Sequence, residues 1–263
     1  AVVYADSKGV LHRQAAAQVV VACNAIETAR LLLLSQSARF PRGIANGSDM
    51  VGRNYMRHVT DFAVAELPNP VHMERGITTP GTVFDEDVHA PQRGFSGGYL
   101  MEAAGLAPAS LALILDPRDW GRSVSGLLER YAHLGAMLMN GEELPVASNR
   151  VTLDQAVKDW RGLPVAHVHV TDHPQTGRMR AHFRDRSTAL YKAVGATDVR
   201  HATPVSATHN MGTARMSAVP ADGVVDAFGQ AHEVPNLWVA DGSVFPTSLS
   251  VNPTLTIVAH ALR

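Results

Sequence analysis

The sequence predicts a chain of two characters, α/β at its ends and α+β between them, and three observations carry that prediction. A β-prone run, "QVVVAC", leads straight into a capped helical stretch near the start. The middle is a series of short β-like segments between Pro/Gly turns. The last part returns to strand, sharp turn and capped helix, the grammar of an α/β unit.

Taken in order, "AVVYA", "DSKG" and "VLHRQAAAQVVVA" read as strand, turn and strand, because an Asp-Ser-Lys-Gly cluster between β-prone runs is a hairpin signal. The second run is expected to be a buried strand that ends at a helix. Asn24 is placed to cap that helix and Glu27 to reach back to it, as in a capping box, with "AIETARLLLLSQ" following as good helix formers. The Gly-, Asn- and Pro-rich stretch from Phe40 to Asn54 reads as a loop, and the composition changes there.

From Tyr55 to about Val205 the segments "VTDFAVAEL", "ASLALILD", "NRVTLD" and "LPVAHVHVTD" are expected as strands, with helical pieces over Val124 to Leu138 and Thr188 to Val194. The end gives a short strand, a turn at Gly229, a strand over Leu237 to Ala240 and a break at Asp241-Gly242. In the closing "SVNPTLTIVAHAL", Asn252 is expected as N-cap and Pro253 at the first helical position, where its missing N–H costs nothing. The expected division is residues 1–54, 55–205 and 206–263.

A chain of 263 residues, 46% hydrophobic, can bury one large core or two modest ones. With 23 basic and 24 acidic residues, it offers no global electrostatic reason to bind nucleic acid or an anionic membrane. No apolar run approaches the ~20 residues of a membrane span. The opening residues lack the basic start and apolar core of a secretory signal, so the chain is expected to begin in mid-fold, and localisation stays open. The single cysteine, Cys23, cannot make an internal disulfide and reads as a buried, inert thiol.

Several constellations could carry chemistry. The helix start at Asn252-Pro253 is either an ordinary capped terminus or a site where free N–H groups and a partial positive charge hold something electron-rich. In "THNMGTARM", His209 is either structural or a base working near neutral pH, with Gly212 letting the backbone approach a ligand closely. His167 and His169 share a strand face near His173, but no Cys or Glu stands at a zinc-like interval, so a polar strand face is expected and no metal. Arg178, Arg180, Arg184 and Arg186 read as a solvated face. No two glycines are separated by one residue, which excludes a G-x-G-x-x-G fingerprint; a P-loop is absent too.

The order and spacing of "VVVACNAIETARLLLLS", "MVGRNYMRH", "HNMGTARM" and "GVVDAFGQAHEVPNLWVADGSVFPTSLSVNPTLTIVAHA" resemble the glucose-methanol-choline (GMC) oxidoreductase family of flavoenzymes. The resemblance implies part of an FAD-binding Rossmann-like domain with an inserted antiparallel-sheet substrate domain. It implies oxidation of the CH-OH group of a small alcohol or sugar, with His209 accepting the hydroxyl proton as hydride leaves for flavin N5 and Asn252 hydrogen-bonding the substrate oxygen. By the same resemblance, Ala22 lies near the adenosine side of FAD, Asp241 and Gly242 near its ribityl and pyrophosphate part, and Asn252, Pro253 and Thr254 near the flavin ring. The family's N-terminal FAD fingerprint has no counterpart here, so the chain is expected to be the C-terminal portion of a longer protein. Alone, it is expected to bind FAD weakly or not at all. The electron acceptor and oligomeric state stay open. The alternative is a non-catalytic module that binds a small ligand with the same fold.

Overall fold

The computed structural model describes residues 1–115, 118, 121–203 and 208–263. The division expected at 205/206 falls outside them. Strands β1 (Val2–Ala5) and β2 (Leu11–Gln14) form the expected antiparallel hairpin. The run read as one second strand is broken: β2 ends at Gln14, whose side chain bonds the Ala15 carbonyl, and β3 is only Val19–Val21. The two pieces serve different partners, and the alanines between them have little β preference. Nor is β3 wholly buried, since Val20 is 63% exposed while Val21 sits in the core.

Helix α1 (Asn24–Leu34) begins where the sequence placed it. The Asn24 side chain accepts from the Ile26 and Glu27 N–H groups, at 2.9 and 3.2 Å, so it does the work of a cap. The reciprocal half of the capping box is not made, because the Glu27 carboxylate pairs with Arg30 instead. Cys23 lies past the end of β3, beside the helix start, and is exposed rather than buried.

The middle of the chain builds a sheet of β4 (Val59–Glu66), β5 (Thr82–Val83), β6 (Tyr99–Ala104), β7 (Leu134–Gly141) and β10 (Asp198–Ala202). Its order is β10-β4-β7-β6-β5, antiparallel throughout. Helices α2 (Pro108–Leu115) and α3 (Arg122–Glu129) lie on one face, with Leu111 and Leu127 packing on Phe62, Val64, Leu134 and Ala136. Helix α4 (Pro174–Ala193) covers the other, where Met179, Phe183 and Tyr191 meet Val59, Ala63, Tyr99, Met101 and Met139. The strict alternation along β4 between these two cores is the period of a strand buried on both faces.

Three expectations fail here. "ASLALILD" is helix α2 up to Leu115, because an unbroken run of Ala, Leu and Ile suits a buried helix as well as a strand. The helix expected through Leu138 stops at Glu129, a single 3₁₀ turn follows, and Leu134 onward is β7, drawn into the ladder between β4 and β6. The arginines on α4 are not a solvated row: Arg178 bonds the Gly94 carbonyl, and Arg180, Arg184 and Arg186 pair with Asp172, Asp61 and Glu86.

The hairpin β8 (Arg150–Lys158) and β9 (Pro164–His169) stands apart from that sheet. Its Val151, Ala166 and Val168 join the core formed by α1, β3 and β11 (Leu237–Val239), and Arg30 on α1 bonds both Asp159 and the Pro164 carbonyl. His167 and His169 share an exposed face of β9, while His173 accepts the Gln175 N–H at the start of α4. Strands β3 and β11 pair in parallel. After β11, Asp241 caps a 3₁₀ turn over Gly242–Val244, and the chain closes with α5 (Thr254–Leu262). No described helix is long and apolar enough to cross a membrane.

Candidate active site

The His209 loop is laced between two neighbours. On one side Met211 exchanges both backbone hydrogen bonds with Met56, at 2.8 and 2.9 Å, and the His58 N–H reaches the Thr208 carbonyl at 3.3 Å. On the other, the N–H groups of Gly212, Ala214 and Met216 bond the carbonyls of Gly242, Ser243 and Val244. Gly212 is required by this lacing: its φ is +77°, and a Cβ there would lie 2.1 Å from the Asn54 carbonyl oxygen. The close approach expected of this glycine is therefore to the protein's own backbone, not to a ligand. Below the loop, the Tyr55 hydroxyl donates to the Asn210 side chain and Thr213 donates to the Ala25 carbonyl at 2.6 Å.

That geometry sets His209 beside His58. The ring centroids are 4.6 Å apart and the two Nδ1 atoms 3.0 Å apart, a separation at which one donates and the other accepts. Thr208 Oγ1 also lies 3.1 Å from His209 Nδ1. Among the described residues, both hydrogen-bond contacts to the His209 ring are made at Nδ1. His209 itself has φ +59°, an uncommon backbone for a residue with a side chain and one that turns the imidazole out of the strand-like path.

Burial governs the electrostatics. His58 is 1% exposed, and desolvation, followed by the charge of His209, pushes its pKa down to about 4, against the Asn140 side chain and the Leu249 carbonyl. His209, half-buried, is lowered mainly by desolvation, and the nearby Glu102 carboxylate opposes that. Behind this loop Glu143, 2% exposed, accepts the Arg57 N–H at 2.8 Å and is pushed up to about 7 by burial.

Asn252 does not cap α5. The helix starts at Thr254, Pro253 has helical dihedrals, and no side chain caps the terminus. The Asn252 amide Nδ2 turns instead to the Glu102 carboxylate, 3.4 Å away, which also receives Asn140 Nδ2 at 2.8 Å. Donation from Nδ2 orients the amide toward Glu102, and its Oδ1, the atom a cap would use, makes no bond to the α5 N–H groups. Pro253 is buried and Thr254 exposed. Both sequence-predicted catalytic candidates thus neighbour Glu102, which the sequence reading passed over along with His58 and Asn140. The signal was parity: Asn140 and Glu102 are polar residues breaking otherwise apolar strands, "AMLMN" and "YLME", on one sheet face.

Three of the expected cofactor residues, Ala22, Asp241 and Gly242, lie at the carboxyl ends of the parallel pair. Ala22 is exposed just past β3, and Asp241 and Gly242 follow β11, which is where crevice ligands meet such strands. The Asp241 carboxylate is engaged internally, by the Thr28 hydroxyl at 2.5 Å and the Ser243 N–H at 2.8 Å. Ser243 Oγ beside it is buried without a partner among the described residues, and the α5 terminus has no capping side chain. An orphaned hydroxyl and an uncapped helix start are polar groups that a dinucleotide with phosphates and an electron-rich ring would satisfy, so the residues present fit FAD. No three His, Cys, Asp or Glu side chains among the described residues come together as a metal ligand set.

The family model described as GMC oxidoreductase matches residues 145–261. Curated relatives include 2-methyl-1,2-propanediol dehydrogenase of Mycolicibacterium austroafricanum, 35% identical over 99% of this chain and 49% of that protein. The fructose dehydrogenase large subunit of Gluconobacter japonicus is 32% identical over 96% of this chain and 47% of its own length. The chain thus spans about half the length of the curated relatives it matches. Among solved structures, a variant of Aspergillus oryzae formate oxidase studied for its FAD modification superposes with a TM-score of 0.70 at 15% identity, over 98% of this chain and 55% of that one. Pyridoxine 4-oxidase from Mesorbium loti gives 0.59 at 18% identity, over 93% and 50%. At these identities the likeness speaks to the fold, which is that of these flavoprotein oxidases.

Proposed function

The chain belongs to the GMC oxidoreductase family, matching its C-terminal portion, and from that premise we propose that the protein oxidises the CH-OH group of a small alcohol, polyol or sugar with FAD as cofactor. The observation that carries this reading is His209, a half-buried imidazole engaged at Nδ1 by His58 and Thr208, in a loop tied to the turn after β11. Such a ring is a base with one nitrogen committed to the protein and the other left for a substrate proton. Bound FAD would supply the acceptor for the hydride that leaves the alcohol carbon.

The chain's own residues do the rest. His209 Nε2 takes the hydroxyl proton as the carbonyl forms, and the imidazolium so produced is stabilised by the Glu102 carboxylate. Asn252, its Nδ2 turned to Glu102, offers its remaining amide valences to the substrate oxygen. Ala22, Asp241 and Gly242 line the FAD crevice, and Pro253 and Thr254 bring the α5 terminus to the ring. The division into residues 1–54 and 206–263 as FAD-binding segments, with 55–205 as substrate domain, belongs to the same proposal; the β8–β9 hairpin is the part of the middle segment that leans on α1.

In the complete FAD-loaded enzyme, His209→Ala is expected to lower turnover by about a hundredfold or more, the scale of a lost general base. Steady-state kinetics beside a flavin count of each preparation checks it. Unchanged turnover at normal FAD content removes His209 from the chemistry.

A further inference from the structure

The polar residues around His209 and Asn252 form a row. On the sheet face that carries Phe62 and Leu134, the positions nearest the His209 loop are polar: Thr60 and Asn140 are opposite one another, Asn140 faces Leu100 on the other side, and Glu102 is two residues further along β6. His58, just before β4, shares the parity of Thr60. Diagonal neighbours on one face are within reach of long side chains, so Glu102, Asn140 and His58 can hand contacts across three strands.

Each contact in the row restricts the next. Glu102 Oε2 accepts from Asn140 Nδ2 at 2.8 Å, which holds that amide with its NH2 toward Glu102 and its Oδ1 on the far side. Asn140 Oδ1 and His58 Nε2 are both buried without a hydrogen-bond partner at full geometry, and two acceptors act on His58 as hydrogen-bond neighbours, the Asn140 side chain and the Leu249 carbonyl, of which only the amide can turn its donor end instead. An amide oxygen can satisfy that imidazole nitrogen only if the nitrogen carries the proton. A neutral His58 protonated at Nε2 has a bare Nδ1, and a bare Nδ1 at 3.0 Å requires the proton on His209 Nδ1. His209 Nε2 is then bare.

We propose that Glu102 is a positioning residue: through Asn140 and His58 it selects the His209 tautomer that leaves Nε2 free to act as the base, while its second oxygen orients the Asn252 amide. One carboxylate thereby sets both residues that would meet the substrate. The inference rests on the flavoenzyme reading for its purpose, but the tautomer itself exists without flavin or turnover.

Long-range proton–nitrogen correlation spectra of the full chain labelled with [15N]histidine test it, with the two rings assigned from His58→Gln and His209→Gln. At neutral pH the expected pattern is a proton on Nε2 of His58 and on Nδ1 of His209. Glu102→Gln, which can present either end of its amide, and Asn140→Leu, which cuts the row but keeps the charge, are each expected to give a mixture of His209 tautomers. In the FAD-loaded protein both should lower kcat on the order of tenfold or more, with KM little changed. A proton on Nε2 of wild-type His209, or a wild-type pattern retained in both variants, overturns the proposal even if the enzyme oxidises alcohols as proposed. Loss of alcohol oxidation in a protein with the expected tautomers counts against the flavoenzyme reading instead.

Discussion

His58 and Glu143 lie behind the same loop and titrate in opposite senses. His58 holds fewer protons folded than unfolded between about 4 and its ordinary 6.5, so its contribution to stability is present above 6.5 and is lost as pH falls toward 4. Glu143, raised from 4.5 to about 7, keeps its proton when folded, so its contribution is present below 4.5 and is lost as pH rises through 7. Between 4.5 and 6.5 the two slopes oppose and largely offset each other. Removing one exposes the other. Glu143→Gln has no carboxylate to ionise in the core, so its stability relative to wild type is expected to improve by up to about 3 kcal/mol between pH 4.5 and 7. Urea unfolding of both proteins across that range measures it, and a difference independent of pH would mean that Glu143 ionises freely when folded.

At the scale of elements, the arginine face of α4 holds the helix to the sheet. Asp61 on β4 is fully buried and receives Arg184 at 2.6 and 3.2 Å, with Thr203 at 3.2 Å. Removing one partner of a buried pair leaves the other charge uncompensated, which is where the cost arises. Because the Arg184 side chain is 42% exposed and Thr203 remains as a donor, Arg184→Met is expected to destabilise by roughly 2 to 3 kcal/mol. A urea midpoint equal to that of wild type would show that the pair adds nothing to the docking of α4.

The elements legible in the sequence were those with local punctuation. The α1 start was announced by Asn24, β4 and β9 by β-branched runs, and the turn after β11 by Asp241-Gly242. Those misread lacked it. α2 is an apolar run with no helix-specific period, and α4 was seen only at its C-terminal end because polar and charged residues fill its first turns. At the site, His209 and Asn252 stood in recognisable motifs, whereas Glu102, Asn140 and His58 come from three stretches of chain that meet only once strand register is set. The position before Pro253 predicts a cap at Asn252, but the amide points its Nδ2 toward Glu102, a partner invisible locally, and its Oδ1 does not reach the α5 N–H groups.

At the scale of the molecule, a parallel pair carries Ala22 and Asp241 at its carboxyl ends, and a five-stranded sheet, sandwiched between helices, presents Glu102 and Asn140 toward the His209 loop. The central claim is that this junction oxidises an alcohol with FAD. The most direct measurement is anaerobic: the full-length protein loaded with FAD is mixed with primary alcohols, vicinal diols and sugars while flavin absorbance is followed. The account predicts bleaching by at least one of them, slowed about a hundredfold or more in His209→Ala of equal flavin content. A flavin that none of them bleaches, or one that bleaches as fast without the His209 imidazole, would contradict it.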